Sequence, residues 1–183
     1  MDQMSPKILV VVQDAFFRQA LADKLRQLGF FVMLSESTHS TLEILDYTDV
    51  EVVLVDIRDM KEQALQTVTN VKQIRTDAEV ILLSSTECID ISMACMREGA
   101  SDDIIVPFDM ETLEQKINDA VERRHSLLLA KNKRNRFLKV FEDVMFAATF
   151  AQAGEFDTAR EIFSEKKKKK DNNKKKRRGG SSK

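Results

Sequence analysis

Four places in this 183-residue chain set residues of chemical interest at the ends of short apolar runs. Val12 closes KILVVV with Gln13 and Asp14 after it, Asp56 follows VEVVLV, Ser84 closes EVILLS with Ser85 after it, and Val106 closes DIIV with Pro107 after it. A carboxylate after buried aliphatics is not there for packing: an isolated charge must reach water, a partner or a metal. The bland alternative is that Asp56 caps or orders the segment after it. At the end of the first run a chain like this could carry a pair of acids, and this one carries an aliphatic and an amide. Val12 cannot ligate anything, and Gln13 offers one neutral oxygen. Asp14 is placed to cap a helix starting at Ala15.

Other chemistries have little support. Cys88 and Cys95 lie seven apart in a helical segment and fit neither a disulfide framework nor a metal spacing, so they read as buried thiols. That usage suits a reducing cytosol. His39 and His125 are far apart, without acidic or cysteine companions at ligand spacing, and read as surface residues. No nucleophile–base pair or nucleotide loop points to an unrelated enzyme. No segment approaches the roughly 18 apolar residues that span a bilayer, and MDQMSPK lacks a signal-peptide pattern. A soluble, cytoplasmic protein is expected.

The elements that would position these residues follow from the pattern. The runs 7–12, 30–34, 50–55, 79–84 and 103–106 are short, rich in Val, Ile and Leu, and not alternating, as strands covered on both faces are. Between them lie helical periods. Phe17, Leu21, Leu25 and Leu28 mark the first, with Gly29 where a helix stops. Leu42 and Leu45 mark the second, Leu65, Val68, Val71 and Ile74 the third. Ile91, Ala94, Cys95 and Gly99 mark the fourth, Leu113, Ile117, Ala120 and Val121 the fifth. Five strands alternating with five helices give an α/β fold, a doubly wound parallel sheet whose site lies beyond the carboxyl ends of its strands.

KILVV, VEVVLVDI ending in Asp56, VILLSS, and EGASDDIIVPF before an acidic helix start occur in order. With these pieces, residues 5–122 resemble a response-regulator receiver domain, a CheY-like, flavodoxin-like module of two-component phosphorelays with strand order 2-1-3-4-5. The resemblance implies that Asp56 is the phosphoacceptor, that Ser84 stands where a hydroxyl contacts the phosphoryl group, and that the Val106–Pro107 peptide is cis. It also implies three departures. The acid pair that binds Mg²⁺ is Val12 and Gln13, the lysine after strand 5 is Val106, and the switch aromatic is Asp103. The loop after Asp56, IRDMKEQ, lacks the family's Pro-Gly turn. No cation is then left to meet phosphate at Asp56. Losing one such electrostatic partner costs about 3–4 kcal/mol by analogy with an oxyanion donor, and losing metal and lysine together slows the chemistry by orders of magnitude.

After residue 122 the chain reads ERRHSLLLAKNKRNR without Gly or Pro, so the fifth helix is expected to run on as an arm. Phe137, Val140, Phe141, Val144, Ala148 and Ala151 form one stripe at helical spacing. Gly154 breaks it, and Phe156, Ala159, Ile162 and Phe163 share a face beyond. AATFAQAGEFDTAREIF looks like a single tetratricopeptide-type hairpin, which cannot bury its own face. The arm and hairpin, 123–165, must therefore meet the receiver-like domain, a second subunit or a protein partner. Residues 166–183 hold eleven Lys/Arg and one Asp, whereas residues 1–165 hold eighteen basic and twenty-nine acidic residues. The tail is expected to be disordered. It could meet nucleic acid or anionic lipid nonspecifically, or the acidic body.

These features favour a signal-transduction module, a degenerate pseudo-receiver acting through protein contacts, without enzymatic activity and with no cofactor. Two alternatives stand beside it. One is a working receiver phosphorylated on Asp56, with Asp14 or Asp59 helping to hold Mg²⁺. The other is a nucleic-acid-associated regulator acting through the tail.

Overall fold

The structure, a computed structural model, describes residues 5–152. In chain order it contains β1 (Lys7–Val11), α1 (Ala15–Gln27), β2 (Phe31–Ser35), α2 (Thr38–Tyr47), β3 (Val52–Asp56) and α3 (Ile57–Ile74). Then follow β4 (Glu79–Ser84), a 3-10 turn (Thr86–Cys88), α4 (Ile89–Arg97), β5 (Asp102–Ile105) and α5 (Met110–Gln152). The strands are all parallel, in the order β2-β1-β3-β4-β5. This is the doubly wound, flavodoxin-like topology that was expected, with a long C-terminal helix.

Strand residues alternate faces, yet both faces here are buried, which is why the runs read as continuous aliphatics. Leu9, Val11, Val53, Val55, Val80 and Leu82 pack with residues of α2, α3 and α4. Ile8, Val10, Val12, Leu54, Ile81 and Leu83 pack with Leu21 and Leu25 of α1 and Leu113 and Ile117 of α5. Gly29 and Gly99 end α1 and α4 with φ of 92° and 108°, a backbone region that costs residues with a Cβ.

Several boundaries differ from the sequence reading. β1 stops at Val11, β2 and β3 end one residue later than expected, and β5 starts and ends one residue earlier. The larger correction is after β3. IRDMKEQ is not a loop: α3 begins at Ile57, directly behind the strand. Asp56 holds extended backbone, and its side chain accepts from the Arg58 amide, so the last strand residue is also the N-cap.

The chain divides into two compact units, Met1–Leu129 and Ala130–Lys183. Near the end of the first, Arg124 is buried and draws carboxylates together from two loops. Its Nη2 donates to Asp49 Oδ1 at 2.7 Å and lies 2.8 Å from Asp77 Oδ2, while Nε donates to Asp77 at 3.0 Å. Arg123 Nε donates to Glu79 Oε2 at 3.1 Å. These bonds tie α5 to the segments that lead into β3 and β4. The described part of the second unit is α5 from Ala130 on. The expected second helix, with Phe156 to Phe163, and the basic tail lie outside the described residues. Among the described residues no helix is long and apolar enough to cross a membrane.

Candidate functional site

The register brings the expected residues to one edge. Val11 pairs with Val55, Asp56 with Leu83, and Ser84 with Ile105. Val12, Asp56, Ser84 and Val106 therefore end β1, β3, β4 and β5 or follow directly. The Val12 amide donates to Ser35 O, the Val106 amide donates to Ser84 O, and the Val106–Pro107 peptide is cis.

Asp56 is 1% exposed, and its partner is a residue the sequence reading did not single out. Arg58 grips both oxygens of the carboxylate. Nε donates to Oδ1 at 2.9 Å and Nη2 to Oδ2 at 2.6 Å, while the Arg58 amide also donates to Oδ1 at 3.1 Å. Bidentate pairing of this kind is the strong, directional form of the arginine–carboxylate bond. The guanidinium also stacks on Phe17, with Cζ 4.8 Å from the ring centroid. The hydrogen bond to Asp56 holds the Arg58 pKa above its ordinary value against the opposing effect of burial, with the nearby charges of Asp56 and Asp59 adding to it. The expectation that Asp56 has no cation beside it is thus corrected. Because α3 starts at once, position 58 falls in its first turn, within reach of the N-cap carboxylate. The signal was in the sequence, an arginine two residues after the acid, but it speaks only once the helix start is known.

The first-strand positions do different work. Val12 is fully buried in the α1/α5 core, a burial worth about 1.5–3 kcal/mol. Gln13 is exposed and its amide donates to Gln63 Oε1 at 3.3 Å. Asp14 caps α1, accepting from the Phe17 amide at 2.6 Å. Arg18, also unremarked in the sequence, closes this turn by donating to Val12 O at 2.6 Å and Gln13 O at 3.0 Å, and pairs with Glu36 at 3.4 Å.

Ser84 is turned toward β5. Its Oγ donates to Asp103 Oδ1 at 2.5 Å, and Ser92 Oγ of α4 donates to Asp103 Oδ2 at 2.6 Å. Val106, partly buried, packs on the α1/α5 core and presents no charge. The groove beside this bridge, about 510 Å³, is lined by Ile89, Met93, Met96 and Ile105 as well as the two serines and Asp103.

Mg²⁺ requires an octahedron of oxygens, with carboxylates supplying the charge. The residues present do not fit it. Val12 has no donor atom, Asp14 serves a helix cap, and both Asp56 oxygens are held by Arg58. Among the described residues no group of three or more His, Cys, Asp or Glu could hold a metal ion. Cys88 and Cys95 are both buried, and burial, with Asp103 and Glu98 nearby, pushes the Cys95 thiol up to about 11. His39 does have an acidic companion, contrary to the sequence reading: Nε2 lies 3.4 Å from Glu43 Oε1, one helical turn away on an exposed face.

The response regulator receiver domain family matches residues 8–118. Among curated relatives, the chain is 27% identical over 158 residues to a Thermotoga maritima protein named cyclic di-GMP phosphodiesterase, covering 86% of this chain and 39% of that one. It is 26% identical over 120 residues to the Escherichia coli transcriptional regulatory protein ZraR, covering 66% and 27%. A response regulator receiver domain protein from Clostridium thermocellum superimposes with a TM-score of 0.63 at 26% identity, covering 67% of this chain and 98% of that one. The chain spans between about a quarter and a half of the length of the curated relatives it matches.

Proposed function

The chain belongs to the response regulator receiver domain family, and from that membership we propose that it is a signalling module that works by protein contact, its acceptor aspartate closed to ordinary phosphotransfer. The observation that carries this reading is the Asp56–Arg58 pair. Attack on phosphorus needs a carboxylate oxygen free to bond, and both are donated to by one guanidinium. The family's reaction also relies on cations set against the transferring group. Arg58 is a cation in the right neighbourhood, but its charge is already spent on the nucleophile itself. With Val12, Gln13 and Val106 in place of the helpers, phosphorylation is slowed by orders of magnitude.

The activities named for the relatives belong to longer proteins and form no part of this reading. The surfaces left for contact are the α4–β5 groove and the exposed apolar residues of α5 after Ala130.

Intact mass after incubation with acetyl phosphate and Mg²⁺ tests the proposal. The expected result is an unmodified protein. A phosphoryl adduct that vanishes in Asp56→Asn overturns it and restores the working-receiver alternative.

A further inference from the structure

Along α5 between positions 137 and 145, six apolar residues face solvent. Phe137, Leu138, Val140, Phe141, Val144 and Met145 are between 47% and 69% exposed. Ala130, Arg134, Phe137, Phe141 and Val144 recur at steps of four and three, the spacing of a helix–helix seam, with Leu138, Val140 and Met145 widening it. Helix after helix of this kind needs a partner, since no propensity compensates for so much apolar surface in water.

We propose that this face binds a second copy of the same helix, running antiparallel. The inference rests on the contact reading above and names its partner. Two observations select the occupant. The first is area. Complete covering of these six side chains removes at most about 600 Å² per copy, which sets the pair at or just under the lower end of stable protein interfaces, about 1,200 Å² in total. From Phe137 to Met145 this face is apolar, so that part can be self-complementary, as a two-fold interface requires.

The second is charge. Lys131, Lys133, Arg134, Arg136 and Lys139 precede Glu142. A parallel pair would set Arg134 against Arg134 of the second copy inside the seam and align all five cations with their duplicates. An antiparallel pair with its two-fold axis at Lys139 layers Phe137 on Phe141 of the second copy and Arg134 on Val144 of the second copy. There the aliphatic stem of Arg134 can lie on the valine while its charge reaches water. The same register brings Arg136 level with Glu142 of the second copy. The basic half of each helix then meets the apolar and acidic half of the other.

Sedimentation of the full chain over a range of concentrations tests the partner, and single cysteines test the direction. The expected result is a dimer, converted to monomer by Phe141→Glu combined with Val144→Glu, with the unfolding of the first unit unchanged. Under mild oxidation Val140→Cys should cross-link, the two positions lying about 3 Å apart along the axis, whereas Ala130→Cys should not, at about 27 Å. The native thiols are buried and do not interfere. A monomer at every concentration, a dimer that survives the double substitution, or efficient cross-linking at Ala130 each overturns the proposal. So does a monomer in which these side chains are protected from labelling, because the face is then covered by the chain's own 153–165 segment. The phosphoryl mass test at Asp56 can fail while this one succeeds, and the reverse.

Discussion

Asp103 draws Ser84 toward β5: the serine hydroxyl donates to its carboxylate at 2.5 Å, and the other oxygen of that carboxylate accepts from Ser92 at 2.6 Å. One side chain thus joins β4, β5 and α4, and it does so from the position where the resembling family carries a switch aromatic. On the proposed reading, the Ser84 hydroxyl is thereby turned away from Asp56.

That bridge should be measurable as coupling. Ser84→Ala and Ser92→Ala are each expected to lower stability by about 1–2 kcal/mol, since each removes a hydrogen bond to a charged acceptor. Asp103→Ala should cost more than either, because two buried hydroxyls lose their acceptor together. Urea unfolding of the three variants, with the Ser84/Ser92 double variant, checks the order; a strictly additive pair of serines contradicts a shared acceptor.

The Asp56–Arg58 pair predicts an asymmetry. Arg58→Ala leaves a carboxylate that is 1% exposed without its counter-ion and is expected to cost about 2–4 kcal/mol. Asp56→Asn keeps an oxygen for the α3 cap and releases a guanidinium that already reaches water, so about 1 kcal/mol is expected. Thermal melts of the two variants decide it. Equal losses would mean that the carboxylate is not held by the arginine.

Arg124 gives a third test. Its Nη2 reaches both Asp49 and Asp77, Nε adds a second bond to Asp77, and Glu51 lies 3.9 Å away. Arg124→Ala should lower stability by about 2–3 kcal/mol, less than a fully enclosed pair because Asp49 is largely exposed. Arg124→Lys should recover little, since an ammonium cannot span two carboxylates in a fixed fork. Chemical denaturation of both variants measures this.

The thiols predict a pH dependence. Burial raises Cys95 to about 11, so its neutral form is the one the fold stabilises. A raised acid contributes stability that is complete below the unfolded-state value and is lost as pH climbs toward the folded one. Stability should therefore fall between about pH 9 and 11, and Cys95→Ala should remove that part of the fall. Denaturation midpoints across this range check it. At pH 8 a thiol reagent should label neither cysteine until denaturant is added.

Most of the scaffold was legible because doubly covered strands leave an unmistakable mark. KILVV and EVILLS appear where they were expected, and Val12, Asp56, Ser84 and Val106 meet along the predicted edge. What was hidden depended on contacts rather than pattern. Arg58 sits two residues from Asp56 in a stretch that reads as a loop, and only the immediate start of α3 turns the two side chains together. In the sequence Asp103 reads only as a departure from the resembling family's aromatic, and its grip on Ser84 and Ser92 needs β5 and α4 in register. Arg124 stands unmarked in ERRHSLLLAKNKRNR; its carboxylates come from positions 49 and 77, which sequence proximity does not connect.

Val12 has a further consequence for reversibility. Its side chain closes the rim of the α1/α5 core, so returning an acid there would drive a charge into hydrocarbon before any ion existed to stabilise it. An acid at position 13 would stand alone, and freeing Asp56 would require giving up Arg58. On the proposed reading, each of these replacements made alone lowers stability without making Asp56 reactive. On that reading, a reactive Asp56 requires several replacements made together.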